Sequence, residues 1–306
     1  MNQSSLTTIL HSLNFDRQFL FSPFPKTLSD RLEFIVRKYS LLLNHHYLGR
    51  PVRLGDSKVR INGRFFYYES TLGIAPYQTM LVNFENRYLP YLQNLHKPLV
   101  IDIGAHIGFF SLTAAKLCKP SRIFACEPLR LTFSLLKKNC TGEKAIIPIH
   151  LGFWNKPTRH KMFYTESFLA YSSLFPERFT WNNHPMTQTV KVTTLDAFAK
   201  RNHIDRIDLL KIDAEGAEEQ ILKGASQTLT KTIYLLIECS FDQLGGSTMS
   251  SLVKHLHGKE KNFQLIEIGD IRRTPQRELA TIDFFFKNLR FKGARQKQYP
   301  LPASIG

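Results

Sequence analysis

The chain has 306 residues, 43% of them hydrophobic, and Lys plus Arg exceed Asp plus Glu by 41 − 25 = 16. That size and apolar content support one large α/β domain with a smaller element beside it. No apolar run approaches the roughly 18 to 20 residues of a membrane span, no basic stretch precedes an apolar one at the N-terminus, and Cys118, Cys126, Cys140 and Cys239 lack C-x-x-C spacing, so reduced thiols in a cytoplasmic protein are expected.

The first 95 residues read as a leading region. Residues 28–43 have helical spacing, with Leu32, Ile35, Val36 and Tyr39 expected on one buried face. Short strands follow at 51–54, 58–61 and 65–69. Asn62-Gly63 between the last two is a hairpin signal. A main domain is expected over 96–289. Its strands fall at 99–103, 122–126, 145–149, 207–212 and 232–237, with helices at 107–117, 129–139 and 214–223 between them. That alternation predicts a mostly parallel sheet covered on both faces. Two further strands, 263–268 and 281–286, have no long helix between them and fit an antiparallel pair at the sheet edge. Residues 166–189 read as an irregular insertion, and 290–306 as a frayed basic tail.

Chemistry concentrates after the first strand of the main domain. Asp102-Ile103-Gly104-Ala105-His106-Ile107-Gly108 lies between a strand and a helix. Gly104 permits a tight turn, the two glycines are expected to leave room for a ligand, and the following helix, from Phe109, offers N–H groups and partial positive charge. A dinucleotide fingerprint needs glycine at 104, 106 and 109, where the chain has Gly104, His106 and Phe109. No G-K-[ST] follows, so it is not a P-loop. An acid at Asp102 suits a ligand with a sulfonium and an amino group, and would repel a pyrophosphate. Glu127 closes the second strand, where a carboxylate can accept from both ribose hydroxyls. Pro128 is expected to start the next helix.

With these motifs and Leu210-Lys211-Ile212-Asp213-Ala214-Glu215-Gly216-Ala217-Glu218, the chain resembles the FkbM-type methyltransferases. Thr194-Leu195-Asp196 and Lys223-Gly224-Ala225 extend the match, which covers about 99–286. The resemblance implies a class I methyltransferase (Rossmann-like) fold, a seven-stranded α/β sheet of order 3-2-1-4-5-7-6, with a small N-terminal α/β extension. It implies S-adenosylmethionine as cofactor, held by Asp102, Gly104, Ala105, His106, Gly108, Phe109, Glu127 and Pro128, and mainly O-methylation of hydroxyls on natural products and saccharides. His106 stands where the family commonly has Asn, and Leu151-Gly152-Phe153-Trp154 departs from the usual adenine-side pattern.

Ligands of open α/β sheets sit at the carboxyl ends of the strands, near the switch in strand order. Asp213 ends the fourth strand there. Asp213 and Glu215 are the candidates to handle the acceptor and take its proton, and Lys211 to steer an anionic substrate or lower a hydroxyl pKa. The bland alternatives are a helix start stabilised by carboxylates and a lysine reaching solvent. Glu238 ends the fifth strand and with Asp213 has the makings of a Mg²⁺ pair, but no metal is assigned. Asp196 is read as a residue bonded to backbone near its own helix start. His45-His46 is read as surface, and His255 with His257 has no metal-binding spacing. Ser172, Ser173, Tyr171, Trp181 and His184 in the insertion are placed either over the acceptor or in an ordinary packed loop.

The basic excess is uneven: 11 basic against 6 acidic in 1–96, 8 against 3 in 97–150, 17 against 16 in 151–286, and 5 against none in 287–306. Such a balance suits nucleic acid, phosphorylated sugars or an acidic surface, or is a solvated basic face. No nucleic-acid module is present, so a small-molecule or saccharide acceptor is favoured over RNA. A non-catalytic nucleoside-binding protein on the same fold is the reading from another class.

Overall fold

The computed structural model describes residues 13–14, 16–22, 25–43, 57–68, 88–92, 95–120, 122–165, 169–179, 185–241, 246–258, 261–273 and 278–291. The expected strand at 51–54, His45-His46, Trp181, His184 and the tail beyond 291 lie outside the described residues, as does the side chain of Tyr171.

Among the described residues, a helical stretch at 16–21 comes before helix α1 (Leu28–Leu42), the hairpin β1 (Lys58–Ile61) and β2 (Arg64–Tyr67), and a single helical turn, α2 (Leu89–Leu92). The hairpin turns at Asn62 and Gly63, both left-handed (φ 49° and 79°), which is the twist a two-residue connection requires. Thr27 caps α1 by accepting from Asp30 N at 3.2 Å. The face that α1 buries is not the one its spacing predicts. Val36 is 65% exposed, and Leu32 and Tyr39 also face outward, whereas Phe34 and Lys38 are buried. Long-range partners decide this: Phe34 packs on Phe19, Lys38 Nζ pairs with Asp16 Oδ1 at 2.8 Å, and Asp30 Oδ2 accepts from Asn62 N.

The main domain runs β3 (Leu99–Ile103), α3 (Phe109–Cys118), β4 (Arg122–Cys126), α4 (Arg130–Asn139), β5 (Ile146–Ile149), β6 (Gly152–Phe153), β7 (Thr158–Tyr164) and β8 (Met186–Thr193). It continues with α5 (Leu195–Arg201), β9 (Ile207–Ile212), α6 (Glu218–Lys223), α7 (Ser226–Thr230), β10 (Thr232–Ser240), α8 (Met249–Leu256), β11 (His257–Gly258), β12 (Lys261–Arg273) and β13 (Leu279–Asn288). The large sheet has the order β11-β12-β13-β10-β9-β3-β4-β5. Strands β5, β4, β3, β9 and β10 are parallel, while β13 joins β10 and β12 antiparallel. Every residue of β9 and β10 is buried, hence their unbroken apolar runs. The sequence predicts seven strands; the sheet carries eight. The extra one, β11, is two residues that fold straight back on β12, His257 opposite Asn262.

Among its described residues, the predicted irregular insertion carries two short helical turns, Leu169–Tyr171 and Pro176–Phe179. Its last residues, Met186 to Thr189, belong to β8, which pairs with β7 and β6 in a second, three-stranded sheet. Asp196 does bond to helix-start backbone, but to that of α7: its carboxylate accepts from Gln227 N at 3.1 Å and Thr228 N at 2.7 Å. The leading region shares a core with the main domain, Phe66 meeting Phe109 edge-on at 5.3 Å. Asn139 clamps the two together. Its Oδ1 accepts from Tyr67 N, and its Nδ2 donates to Tyr67 O and Ile107 O, each at 2.8 Å.

Candidate active site

The chain leaves β3 in a turn that spends three residues in the left-handed region, Gly104 (φ 74°), His106 (φ 52°) and Gly108 (φ 89°). The turn is tied to both neighbouring strands. Gly104 N and Ala105 N donate to Cys126 O, and Asp213 N donates to Ile103 O. The glycines have a packing role as well. A Cβ at Gly104 would run into the Asp213 carbonyl, and one at Gly108 would press on Leu136 and Cys140. Both glycines therefore make room for neighbouring chain. No side chain caps the start of α3.

Glu127, buried at the end of β4, organises this corner. Its Oε2 accepts from His106 N, and its Oε1 from Leu129 N and Thr132 Oγ1, all at 2.9 Å. Burial pushes its pKa up, against the opposing pull of the His106 charge and of these donors. Three donors on two oxygens leave lone-pair capacity for a further donor. Pro128 precedes the helix instead of starting it: Leu129 is the N-cap, and α4 opens at Arg130.

Asp102 has no exposed surface. Its Oδ2 accepts from Ser111 Oγ at 2.6 Å, and its Oδ1 lies 3.4 Å from Lys211 Nζ. Asp102 thus braces the turn from beneath. Lys211 is buried too, with Nζ 3.1 Å from Asp213 Oδ2 and 3.4 Å from Gly104 O. Burial alone would lower its pKa, but Asp213 and Asp102 outweigh it and hold the ammonium above its ordinary value. Lys211 is thus a cation fixed between two carboxylates. Phe109 and Ala105 also turn inward, Phe109 into the hairpin core and Ala105 against α3 and its neighbours.

Three carboxylates converge past the end of β9. One oxygen each of Asp213, Glu215 and Glu238 lies within 4.8 Å of the others. Glu215 sits in a left-handed conformation (φ 48°) followed by Gly216 (φ 102°), an arrangement that costs energy at a non-glycine residue and gathers at functional sites. The turn is held from two sides. Glu218 Oε1 accepts from Ala214 N and Gly216 N, and Ser173 Oγ donates to Glu215 O at 2.6 Å. This turn displaces the helix predicted from 214, which begins at Glu218.

Each member of the trio has a cation: Lys211 on Asp213, Arg178 Nη2 at 3.2 Å from Glu215 Oε2, and Arg272 Nη1 at 3.5 Å from Glu238 Oε2. Burial raises the Asp213 pKa, but Lys211 and then Arg272 more than reverse it, so Asp213 stays ionised and is a weak base. Burial and the Asp213 charge push Glu215 up to about 8, against the pull of Arg178. Burial and Asp213 raise Glu238 well above the usual carboxylate range. The oxygens are of the hard type that a divalent cation takes, and the lysine and two arginines offset only part of their charge, since Lys211 is shared with Asp102. Sequence reasoning brought Asp213, Glu215 and Glu238 to one place. It missed Arg178 and Arg272, which come from the second-sheet connection and from β12, and no local signal marks either.

The chain carries a match to the family described as Methyltransferase FkbM domain over residues 102–288. It belongs to that family. The matched region is a methyltransferase domain on a Rossmann-like α/β sheet, and S-adenosylmethionine is the methyl donor of its class. Among curated relatives, Methyltransferase sdnD of Sordaria araneosa is 26% identical over 161 residues, 42% of this chain and 61% of the relative. Methyltransferase 1 of Beauveria bassiana is 25% identical over 142 residues, 41% of this chain and 57% of the relative. The chain thus spans about three-fifths of the length of these relatives. A solved FkbM methyltransferase from Methylobacillus flagellatus KT is 20% identical with a TM-score of 0.41, covering 68% of this chain and 54% of its own. No helix among the described residues is long and apolar enough to cross a membrane.

Proposed function

We propose that the protein O-methylates a hydroxyl on a saccharide or other small molecule, over the carboxyl ends of β9 and β10. The observation that carries this is Glu215: a carboxylate in a strained backbone, 17% exposed, with a pKa of about 8, beside an ionised Asp213. A proton acceptor near the working pH is what a neutral hydroxyl requires to become a nucleophile. Set aside the two-residue β11, and the sheet reads 3-2-1-4-5-7-6 when its strands are numbered in chain order, which supports the class I reading.

When bound, S-adenosylmethionine supplies an electrophilic methyl on a sulfonium. In this reading the turn from Gly104 to Gly108 and the uncapped start of α3 cradle the donor, and Glu127 accepts from its ribose through the capacity left on its carboxylate. Asp213 offers negative charge toward the sulfonium side. Glu215 takes the hydroxyl proton, while Arg178 holds its carboxylate in place. Asp102 and Lys211 act from below, fixing the turn and Asp213. Positioning of this kind accounts for much of the acceleration of a direct displacement.

Methyl-labelled S-adenosylmethionine incubated with fractionated saccharides, small hydroxylated metabolites and RNA tests the proposal. Label is expected in a hydroxylated small-molecule or saccharide fraction. Label in RNA, with steep loss as salt is raised, would replace this reading with a polyanion acceptor drawn by the basic surface.

A further inference from the structure

A cavity of about 220 Å³ lies behind the glycine turn, between the β1–β2 hairpin and the outer faces of α3 and α4. None of the residues proposed to hold the donor by hydrogen bonds lines it, nor does any of the three clustered carboxylates. Its walls are apolar and largely aromatic: Ile61, Phe65, Phe66, Phe109 and Leu112. Two polar groups on the lining have buried atoms with no hydrogen-bond partner, Thr113 Oγ1 and Asn62 Nδ2. Thr113 is 1% exposed. A helical threonine ordinarily donates to the carbonyl one turn back, and this one does not. The Asn62 amide is anchored on its other side, where Oδ1 accepts from Lys26 N at 2.7 Å, so Nδ2 is fixed in direction.

The rim is cationic. Arg64 Nη1 at 3.1 Å and Lys116 Nζ at 2.7 Å converge on a single oxygen, Glu143 Oε1, leaving one positive charge in excess. A dry apolar cavity of about 150 Å³ suffices for benzene, so this one has space for a single ring with a small polar group. We propose that the cavity binds a small single-ring aromatic carboxylate. The ring packs among the phenyl side chains, and the carboxylate meets the basic rim, accepting from Asn62 Nδ2 and Thr113 Oγ1.

The location gives binding a consequence. Phe109 follows Gly108 directly, and Asn139, also on the lining, donates to the carbonyl of Ile107 inside the turn. A filled cavity stiffens the turn, so the carboxylate and S-adenosylmethionine should raise each other's affinity by the same factor.

Titration of the full chain with benzoate, read by calorimetry and by chemical shifts, tests this without any turnover. Saturable binding with Kd of about 1 mM or tighter is expected for so few atoms. Thr113→Val keeps the side-chain shape and should weaken benzoate about threefold or more. Lys116→Glu, at a solvent-facing position, should weaken benzoate about tenfold and leave benzyl alcohol unchanged. Absence of saturation at about 20 mM benzoate, or equal affinity in the parent and both variants, overturns the proposal.

Discussion

Two carboxylate clusters meet at Asp213 and behave differently. On one side, Asp102 and Lys211 are sealed, and Lys211 serves two acids and a carbonyl at once. On the other, Glu215 and Glu238 crowd against Asp213, with arginines from distant parts of the chain on their far sides. In the first cluster the lysine is held protonated and Asp213 ionised. The second holds more negative charge than its surroundings welcome, so one of its carboxyls keeps a proton near neutrality. Full burial with a matched partner gives rigidity. Forced proximity at a half-open edge gives a group that can exchange a proton.

Substitutions can break that contrast, beginning with the sealed side. Lys211→Met leaves Asp102 as a buried charge with no cation, and should cost about 3–5 kcal/mol of unfolding free energy in urea titrations. Pairing it with Asp102→Asn should recover a large part of that loss; no recovery would mean that the ion pair is not the brace. Gly104→Ala should abolish donor binding, a loss of about a hundredfold or more by calorimetry, because the Asp213 carbonyl occupies the space its methyl needs. Wild-type affinity in that variant would place the donor elsewhere.

On the open side, Glu215→Gln should lower kcat by about 10²–10³ with little change in donor affinity. The pH dependence carries the sign. The folded carboxyl lies at about 8, above the unfolded value near 4.3, so the folded state binds the extra proton. Its contribution to stability is present at low pH and is lost as pH rises through that window. Transfer needs the ionised form, so kcat should climb toward pH 8. In Glu215→Gln both slopes should flatten, and a surviving climb would point to Glu238 as the acceptor. Glu127→Ala should weaken donor binding about tenfold. Arg178→Met should give the smallest change, moving the midpoint of the rate profile upward; a downward shift would contradict the pairing with Glu215.

Local chemistry was legible in the sequence. The glycine turn, Glu127 at a strand end and the block from Leu210 to Glu218 each depend on a few consecutive residues and on strand order. Their neighbours across the fold were not. The outward face of α1 follows from Phe19, Asp16 and Asn62, none of which contributes to its apolar spacing. Glu215 was identified, but the arginine against it comes from a stretch read as irregular, and the one against Glu238 from an edge strand longer than its apolar core. Phe109 looked like part of a ligand loop because it follows the glycine turn. Its ring points backward because a hairpin some forty residues upstream supplies Phe66.

The Asn139 amide has a practical bearing on how this protein is dissected. The family boundary at residue 102 invites trimming everything before it. A chain cut there would strip Asn139 of both its Tyr67 bonds and bare Phe109, while the Ile107 carbonyl would lean on an amide now free to swing. The shortened chain would carry a slack hinge under its glycine turn.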